Sequence, residues 1–527
     1  MNADHDVIVI GGGVNGLVAA AVLARSGLRT LILERGATCG GGAVTHEIAP
    51  GFLVPRYTHQ AGPFRRDVSE ALDLEGRGVA FVDSEVDVTA LATDGRAITI
   101  FTDDSRTVAG LAGISPGDAA RWPAFAASRR AVAGVIASLL EASPPPLDAP
   151  DRRELWQLVK TAHRFRRLER ADAYRLLRWA PMPVADLLRE HFESDLLMAG
   201  LAGDAVFGAM LGPQSAGSGM TFLLRAANDV LGGANRRFMV GGPGRLAEAL
   251  IAVVKDAGGQ VRTGSEVSRV RVDDEGRVLG VTLASGEELD AMVVVSGLDP
   301  RRTLLSLVDP VHLGPELVWR LGHYRVRGTV AKVNLALGGL PAFTGVATEQ
   351  LTGRIRLGAT LEALERAFDH AKYGRFSPEP WIELTLPSLV DASLAPGGAH
   401  VLSAYVQWAP YQLRSGSWDA AREALGDAVL TLLDRYAPGL SRLIVAREVL
   451  TPLDLERELG MTGGHIFHGE LALDQLLTMR PMLGLGGYRT PVDGLFLCGS
   501  GTHPGTGLTG GSGWLAARVI ANEFTQL

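Results

Sequence analysis

Asp6-Val7-Ile8-Val9-Ile10-Gly11-Gly12-Gly13-Val14-Asn15-Gly16 runs an apolar stretch of strand length straight into three glycines spaced G-x-G-x-x-G. Behind them Leu17 to Ser26 reads as a helix rich in alanine and leucine, closed by Gly27. A second apolar run, Thr30 to Leu33, ends on Glu34. Strand, glycine turn, helix, strand and acid in that order form the dinucleotide-binding fingerprint. Gly11 permits the tight turn, Gly13 lets the backbone approach a pyrophosphate, and Gly16 lets helix and strand pack closely. The helix start offers unpaired N–H groups and the positive end of its dipole to phosphates. Glu34 stands where a carboxylate accepts hydrogen bonds from ribose hydroxyls.

Working outward, the chain has 527 residues, enough for two intimately packed domains. Hydrophobic residues make up 46% and charged residues 21%, the balance of a well-packed soluble protein. The net charge of −7 gives no footprint for nucleic acid. Cys39 and Cys498 are the only cysteines and form no C-x-x-C pair, which leaves neither a redox disulfide nor a disulfide scaffold. Asp4 and Asp6 precede the first strand where a secretory signal would be basic. No uninterrupted apolar run reaches the roughly 20 residues that span a bilayer. The expectation is a cytoplasmic protein, or one attached to a membrane surface.

Beyond Glu34, Arg35-Gly36-Ala37-Thr38-Cys39-Gly40-Gly41-Gly42-Ala43 places three glycines where backbone folds against a ligand. His46 to Phe64 is irregular, with Pro50-Gly51, Pro55 and Gly62-Pro63 as turns, and its His59 is expected to satisfy a turn, with a place facing a cofactor as the alternative. Val79 to Val108 reads as strands and hairpins, and a helical pattern begins at Ser115. Ser143-Pro144-Pro145-Pro146 is a stiff linker. Arg152 to Trp179 is basic, with Trp156, Phe165, Tyr174 and Trp179 interleaved; it reads as a solvated helix face, with contact to an anionic membrane as the alternative. Phe192 to Leu231 reads as apolar helix and glycine turn, the cap of a substrate cavity.

Gly242-Pro243-Gly244-Arg245-Leu246-Ala247 imitates a second fingerprint and opens a helix, Leu246 to Ala257. Arg236-Arg237 break the strand before it, so a second nucleotide site is not expected. Gln260 to Arg262, Glu266 to Val272, Val278 to Leu283 and Ala291 to Ser296 read as strands, the last fully apolar and fit to rejoin the nucleotide-binding sheet. Thr329 to Leu337, Trp381 to Leu386 and Ala399 to Gln407 read as strands of a second sheet. Lys332 interrupts the first of these and is expected at an edge or toward solvent, with a lysine near a cofactor as the alternative. Near the end, Leu495-Phe496-Leu497-Cys498-Gly499-Ser500-Gly501-Thr502-His503-Pro504-Gly505-Thr506-Gly507-Leu508-Thr509-Gly510 leads from an apolar strand through glycines into the helix Trp514 to Phe524. That helix start is placed to stabilise negative charge on a bound ring system.

In order along essentially the whole chain, Asp6–Gly16, Glu34-Arg35 with Gly40–Gly42, Gly241–Gly244 and Gly499–Gly510 resemble the flavin-dependent phytoene desaturase family of amine-oxidase-like flavoproteins. Gly463-Gly464-His465-Ile466-Phe467-His468-Gly469 and Leu497–Gly505 are similar to its branch of pyridine nucleotide-disulfide oxidoreductase domain-containing proteins. The chain departs from carotenoid desaturases where Gly42-Ala43 follows Gly40-Gly41 in place of an arginine.

The resemblance implies an α/β fold, with a Rossmann-type FAD-binding domain from segments 1–75, 235–300 and 485–527. A mixed α+β substrate domain, 76–234 and 301–484, would be helical over about 115–230. It implies non-covalent FAD, with Gly11, Gly13, Val14, Asn15 and Gly16 at the pyrophosphate and Glu34 and Arg35 at the adenosine ribose. Gly41, Gly42 and Ala43 would face the cofactor, and Val267 the adenine. Gly499, Ser500, Gly501, Gly507, Leu508 and Thr509 would follow the ribityl chain and flavin. The implied reaction moves a hydride from an apolar, polyene-like substrate to the flavin, with oxygen or a quinone as acceptor. His503 is the catalytic candidate, or else a structural His-Pro turn. An amine oxidase acting on C–N bonds, a saturase or isomerase using reduced flavin, and a non-catalytic scaffold are the rival readings.

Overall fold

The computed structural model describes residues 4–59, 64–144, 165–232 and 236–524, with residues 156, 159, 162 and 163 between. In the first of two large sheets, the strand His5–Ile10 lies parallel between Thr30–Leu33 and Glu288–Ser296. Gln260–Arg262 extends the sheet beyond Thr30–Leu33, and Leu495–Leu497 joins on the far side of Glu288–Ser296. Val7 and Val9 enter one apolar cluster while Ile8 and Ile10 enter another, so the strand is buried on both faces. That is why its sequence is a continuous apolar run and not an alternation. The front half of Glu288–Ser296 pairs antiparallel with Val278–Leu283, itself paired with Val267–Val272, so the expected meander leaves and re-enters the sheet.

The fingerprint helix, Val14–Arg25, packs against Gly511–Phe524 and Gly244–Asp256. Two glycines permit its position. A Cβ on Gly16 would overlap the carbonyl oxygen of Gly11, and a Cβ on Gly513 would overlap that of Asn15. The last helix therefore lies backbone to backbone on the first. All three helices begin two or three residues before the apolar pattern that announces them, because glycine starts carry no apolar signal.

The second sheet has seven strands in the order Ile444–Leu450, Val330–Leu337, His400–Gln407, Trp381–Thr385, Arg354–Leu357, Val86–Leu91 and Ala97–Phe101. Ala331, Val333, Leu335 and Leu337 point into an apolar cluster with the helix Trp418–Tyr436. Lys332 and Asn334 alternate to the opposite face. The helices Asp195–Val206 and Ser218–Val230 lie over that second face, and Asp195–Val206 touches Val86–Leu91 directly.

One expectation changes. The hairpin pattern expected through Val108 stops at Asp103, whose side chain accepts from Ser105 N at 2.8 Å and caps a helix, Asp104–Ala112. The glycines at 241–244 are turned away from nucleotide binding: Gly241 N donates to Asp391 at 2.7 Å and Gly244 N to Thr45 Oγ1 at 3.0 Å. Of the basic stretch, Arg170–Trp179 forms a helix with Trp179 buried; most of 145–164, including Pro145-Pro146, and Gly62-Pro63 lie outside the described residues. Among the described residues no helix is long and apolar enough to cross a membrane.

Replacing Gly513 by valine forces the first and last helices apart. The expected loss is about 1–3 kcal/mol of stability, read as a lower melting temperature together with a lower flavin-to-protein ratio. Gly397, where an added Cβ meets nothing within 4 Å, serves as the control, and Gly397→Ala melts as the parent does.

Candidate functional site

One cavity of about 480 Å³ runs from the fingerprint turn to the second sheet. At its first end Gly11 turns with φ of +93°. Gly40 N donates to Gly12 O at 2.8 Å and lays the second glycine run along the first. A Cβ on Gly41 would stand 3.0 Å from Gly13 Cα, so any side chain here would fill the gap between the two loops. Glu34 accepts from Gly12 N at 2.7 Å and from Gly36 N at 2.6 Å, one on each oxygen. Each oxygen keeps a lone pair for a ribose hydroxyl. Gly13 gives the helix Val14–Arg25 no side-chain cap, and Val14, Asn15 and Gly16 line the cavity. Room, donors and carboxylate together fit the ADP half of FAD. Asn15 Nδ2 donates to Ser500 Oγ at 3.0 Å, which ties this end to the C-terminal glycine segment.

The other end is built from the sheet's polar face. Register sets Arg356 opposite Glu383, Glu383 opposite Tyr405, and Tyr405 opposite Lys332. Opposed residues share a face, so these side chains form one polar row across four strands. Above it, Asp204 receives Arg354 Nη1 at 2.7 Å and also the Arg356 guanidinium, whose Nε reaches Glu383 at 2.7 Å. The helix can come this close because Gly203 leaves space that Arg356 and Trp381 take up, while Gly200 offers Arg356 a bare carbonyl. Burial works to raise the Asp204 carboxyl, but the surrounding Arg356, Arg354, Arg225 and Arg129 outweigh it and hold it well below the usual range. From the helix Ser218–Val230, Thr221, Leu224, Arg225 and Asn228 reach the cavity, the i, i+3, i+4, i+7 face.

His59 closes the chamber. Its ring meets that of Tyr405 edge-on at 4.1 Å, its Nδ1 lies 3.4 Å from Ser403 Oγ and 3.5 Å from Lys332 Nζ, and its Nε2 has no hydrogen-bond partner. Burial, then the nearby Lys332 and Arg225, hold this imidazole well below its ordinary pKa, so it is neutral. Lys332 is the clearest correction to the sequence reading. It is buried in an interior strand, bonded to Ser403 and lying 4.7 Å from the centre of the Tyr405 ring, and burial drives its pKa far down.

Of the residues expected at the cofactor, Gly11, Gly13, Val14, Asn15, Gly16, Glu34, Gly41, Gly42, Ser500, Gly507 and Leu508 line the cavity. Six do not. Arg35 donates to the Arg457 and Glu458 carbonyls, and Ala43 is buried. Val267 is paired with Leu283 in the meander. Gly499 and Gly501 pack where a Cβ would meet Gly297 O and the Pro300 ring, and Thr509 Oγ1 accepts from Gly511 N. His503 is also withdrawn. Its Nε2 sits 3.1 Å from Leu139 O, and burial lowers its pKa to about 3, so it anchors the C-terminal segment to the helix Pro116–Leu140. Asp204, Arg225 and Glu383 are the site residues that sequence reasoning missed, and His59, expected at a turn, lines the cavity with them. The alternation in Arg354-Ile355-Arg356 was the one available signal, a charged face on a strand with apolar neighbours.

Comparison with known proteins agrees with this geometry. The sequence model of flavin containing amine oxidoreductases matches residues 15–521. Pyridine nucleotide-disulfide oxidoreductase domain-containing protein 2 of Rattus norvegicus is 35% identical over 555 residues, covering 100% of this chain and 95% of its own. Phytoene desaturase (neurosporene-forming) of Rhodobacter capsulatus is 26% identical over 533 residues, covering 97% of this chain and 93% of its own. A solved putrescine oxidase variant superposes with a TM-score of 0.64 at 15% identity over 99% of each chain, a likeness of fold. The chain belongs to the flavin-containing amine oxidoreductase family, and its cofactor is FAD.

Proposed function

We propose that this flavoprotein is a dehydrogenase of the desaturase kind, forming a double bond in an organic substrate held between the helix Ser218–Val230 and the second sheet. The observation that carries the reading is the continuity of the cavity. The same space that holds the glycine cradle and Glu34 ends at Phe207, Arg225, Glu383 and Tyr405. Bound FAD supplies the hydride acceptor. The chain's own residues then have three tasks.

Phe207, Leu224, Ile466, Phe467 and Leu471 give the substrate an apolar wall and exclude water. Arg225, Asp204 and Glu383 give a polar one. The proton lost beside the departing hydride goes to His59. In the tautomer that donates Nδ1–H to Ser403, Nε2 carries the free lone pair, and the depressed pKa keeps it unprotonated. An external acceptor, oxygen or a quinone, collects the electron pair. An amine substrate is less well served, because Asp204 and Glu383 are already bound by Arg354 and Arg356, and an ammonium would face Arg225. The desaturase relative supports the same choice of C–C chemistry.

An anaerobic titration of the purified protein, following flavin absorbance, tests the reading. Bleaching is expected with saturated C–H donors, and none with NADPH or with primary amines alone. Bleaching by NADPH would point to a saturase, bleaching only by amines to an amine oxidase, and a protein without flavin would sink the proposal.

Replacing His59 by glutamine removes the proton acceptor, and a fall of about 10²–10⁴ in the reduction rate is expected with the flavin spectrum kept. Because the folded His59 has a lowered pKa, the parent's reduction rate stays level as pH drops through 6.5 and declines only further into acid; an inflection near 6.5 would contradict the assignment.

Burial, and for Cys39 also the charge of Glu34, push the thiols up, to about 11 at Cys39 and about 12 at Cys498. The double variant Cys39→Ser/Cys498→Ser is therefore expected to keep full flavin reduction. A large loss would revive thiol chemistry.

A further inference from the structure

In the buried charge cluster, Arg225 is the arginine that both lines the cavity and keeps donor capacity. Arg354 and Arg356 hold Asp204 and Glu383 at ordinary hydrogen-bond distance. Arg225 reaches the same carboxylates only at the long limit, 3.4 Å from Nη2 to Glu383 and 3.5 Å from Nε to Asp204. The Nε has no hydrogen-bond partner. Its guanidinium lies 4.7 Å from the centre of the Phe207 ring, which shields one side, and the residue lines the cavity. A desolvated guanidinium with unused N–H groups gains most from a carboxylate, which accepts two parallel bonds from the fork.

The position suits substrate and not the adenosine end of the cofactor. Arg225 stands one helical turn before Asn228, whose Oδ1 accepts from Thr506 Oγ1 at 3.0 Å. Thr506 adjoins Gly507 and Leu508, the residues that line the cavity at the C-terminal glycine run. The other charged and titratable groups packed around Arg225 are Asp204, Glu383, Arg354, Arg356, Arg129, Tyr405 and the neutral His59. Both carboxylates among them are already bonded to arginine. A new anion here is met by Arg225 while the inner pairs stay intact.

We propose that the chamber selects organic acids, with the substrate carboxylate bound by the Arg225 fork and the hydrocarbon part laid against Phe207, Phe467 and Ile466. This deepens the proposed function and rests on the chamber being its substrate site.

Isothermal calorimetry on the FAD-loaded protein tests it, with benzoate and decanoate as probes, benzamide and decanamide as neutral isosteres, and benzylamine as the opposite charge. At least one carboxylate is expected to bind saturably, its amide about tenfold or more weakly, and benzylamine not at all. Arg225→Gln is expected to lose carboxylate binding, and Arg225→Lys to keep part of it, with charge but no fork. Equal binding of acid and amide, undiminished binding to Arg225→Gln, or no carboxylate binding by the parent overturns the proposal. If Arg225→Gln fails to retain FAD, the parent's acid-to-amide ratio and Arg225→Lys decide. Failure of the two readings is separable. Carboxylate binding without flavin reduction by any donor removes the dehydrogenase and leaves the acid site; reduction by neutral donors without carboxylate binding does the reverse.

Discussion

Arg354 and Arg356 sit on an interior strand of the second sheet, with their charges nearly out of reach of water. A buried charge without partners is worth several kcal/mol of instability, so this strand dictates what must surround it. Glu383 answers from the next strand and Asp204 from the helix above. Asp204 can arrive only if that helix lies almost on the sheet, which explains glycines at 200 and 203 in an otherwise apolar segment. The helix Ser218–Val230 packs beside it, and the outer arginine, Arg225, comes to rest between the cluster and the cavity. The chamber is thus shaped by charge pairing before any ligand enters it.

The two ends of the cavity work by opposite means. The cofactor end depends on the absence of side chains. Gly11, Gly13 and Gly41 leave room and backbone donors, and Glu34 is the main side chain to contribute. The chamber is lined by side chains drawn from distant segments, around residues 57–59, 204–228, 383–405 and 466–471, with Arg354 and Arg356 behind them. A change of substrate needs only a change of side chains at the second end and leaves the backbone cradle untouched. A protein sharing 15% of its residues can therefore share the fold over 99% of the chain.

That contrast also decides what could be read from the sequence. The fingerprint, Glu34, the paired glycine runs and the closing strand with its helix were legible because their meaning is local: spacing along the chain is geometry in space. Most strands of both sheets were legible from apolar runs and turn residues, but Arg354–Leu357 and Ile444–Leu450, each interrupted by charged residues, were not. Lys332 and His59 were misread because each looks ordinary alone; their burial comes from Tyr405 and Ser403, more than 70 residues beyond Lys332 and more than 340 beyond His59. Arg225 was passed over because a lone arginine on a helix normally faces water. His503 was misassigned for the converse reason. It follows a glycine cluster that does touch the cavity, but its ring turns outward to the Leu139 carbonyl.

The closure of the first sheet by Leu495–Leu497, and of the first helix by Gly511–Phe524, fixes an order of events during synthesis. The fingerprint leaves the ribosome first, yet its helix lacks the second of its two covering helices, and Asn15 lacks Ser500, until nearly 500 further residues have followed. Cofactor loading is consequently a step that belongs to the finished chain. A truncated product ending before the last strand would carry the whole dinucleotide signature and still be unable to keep the flavin.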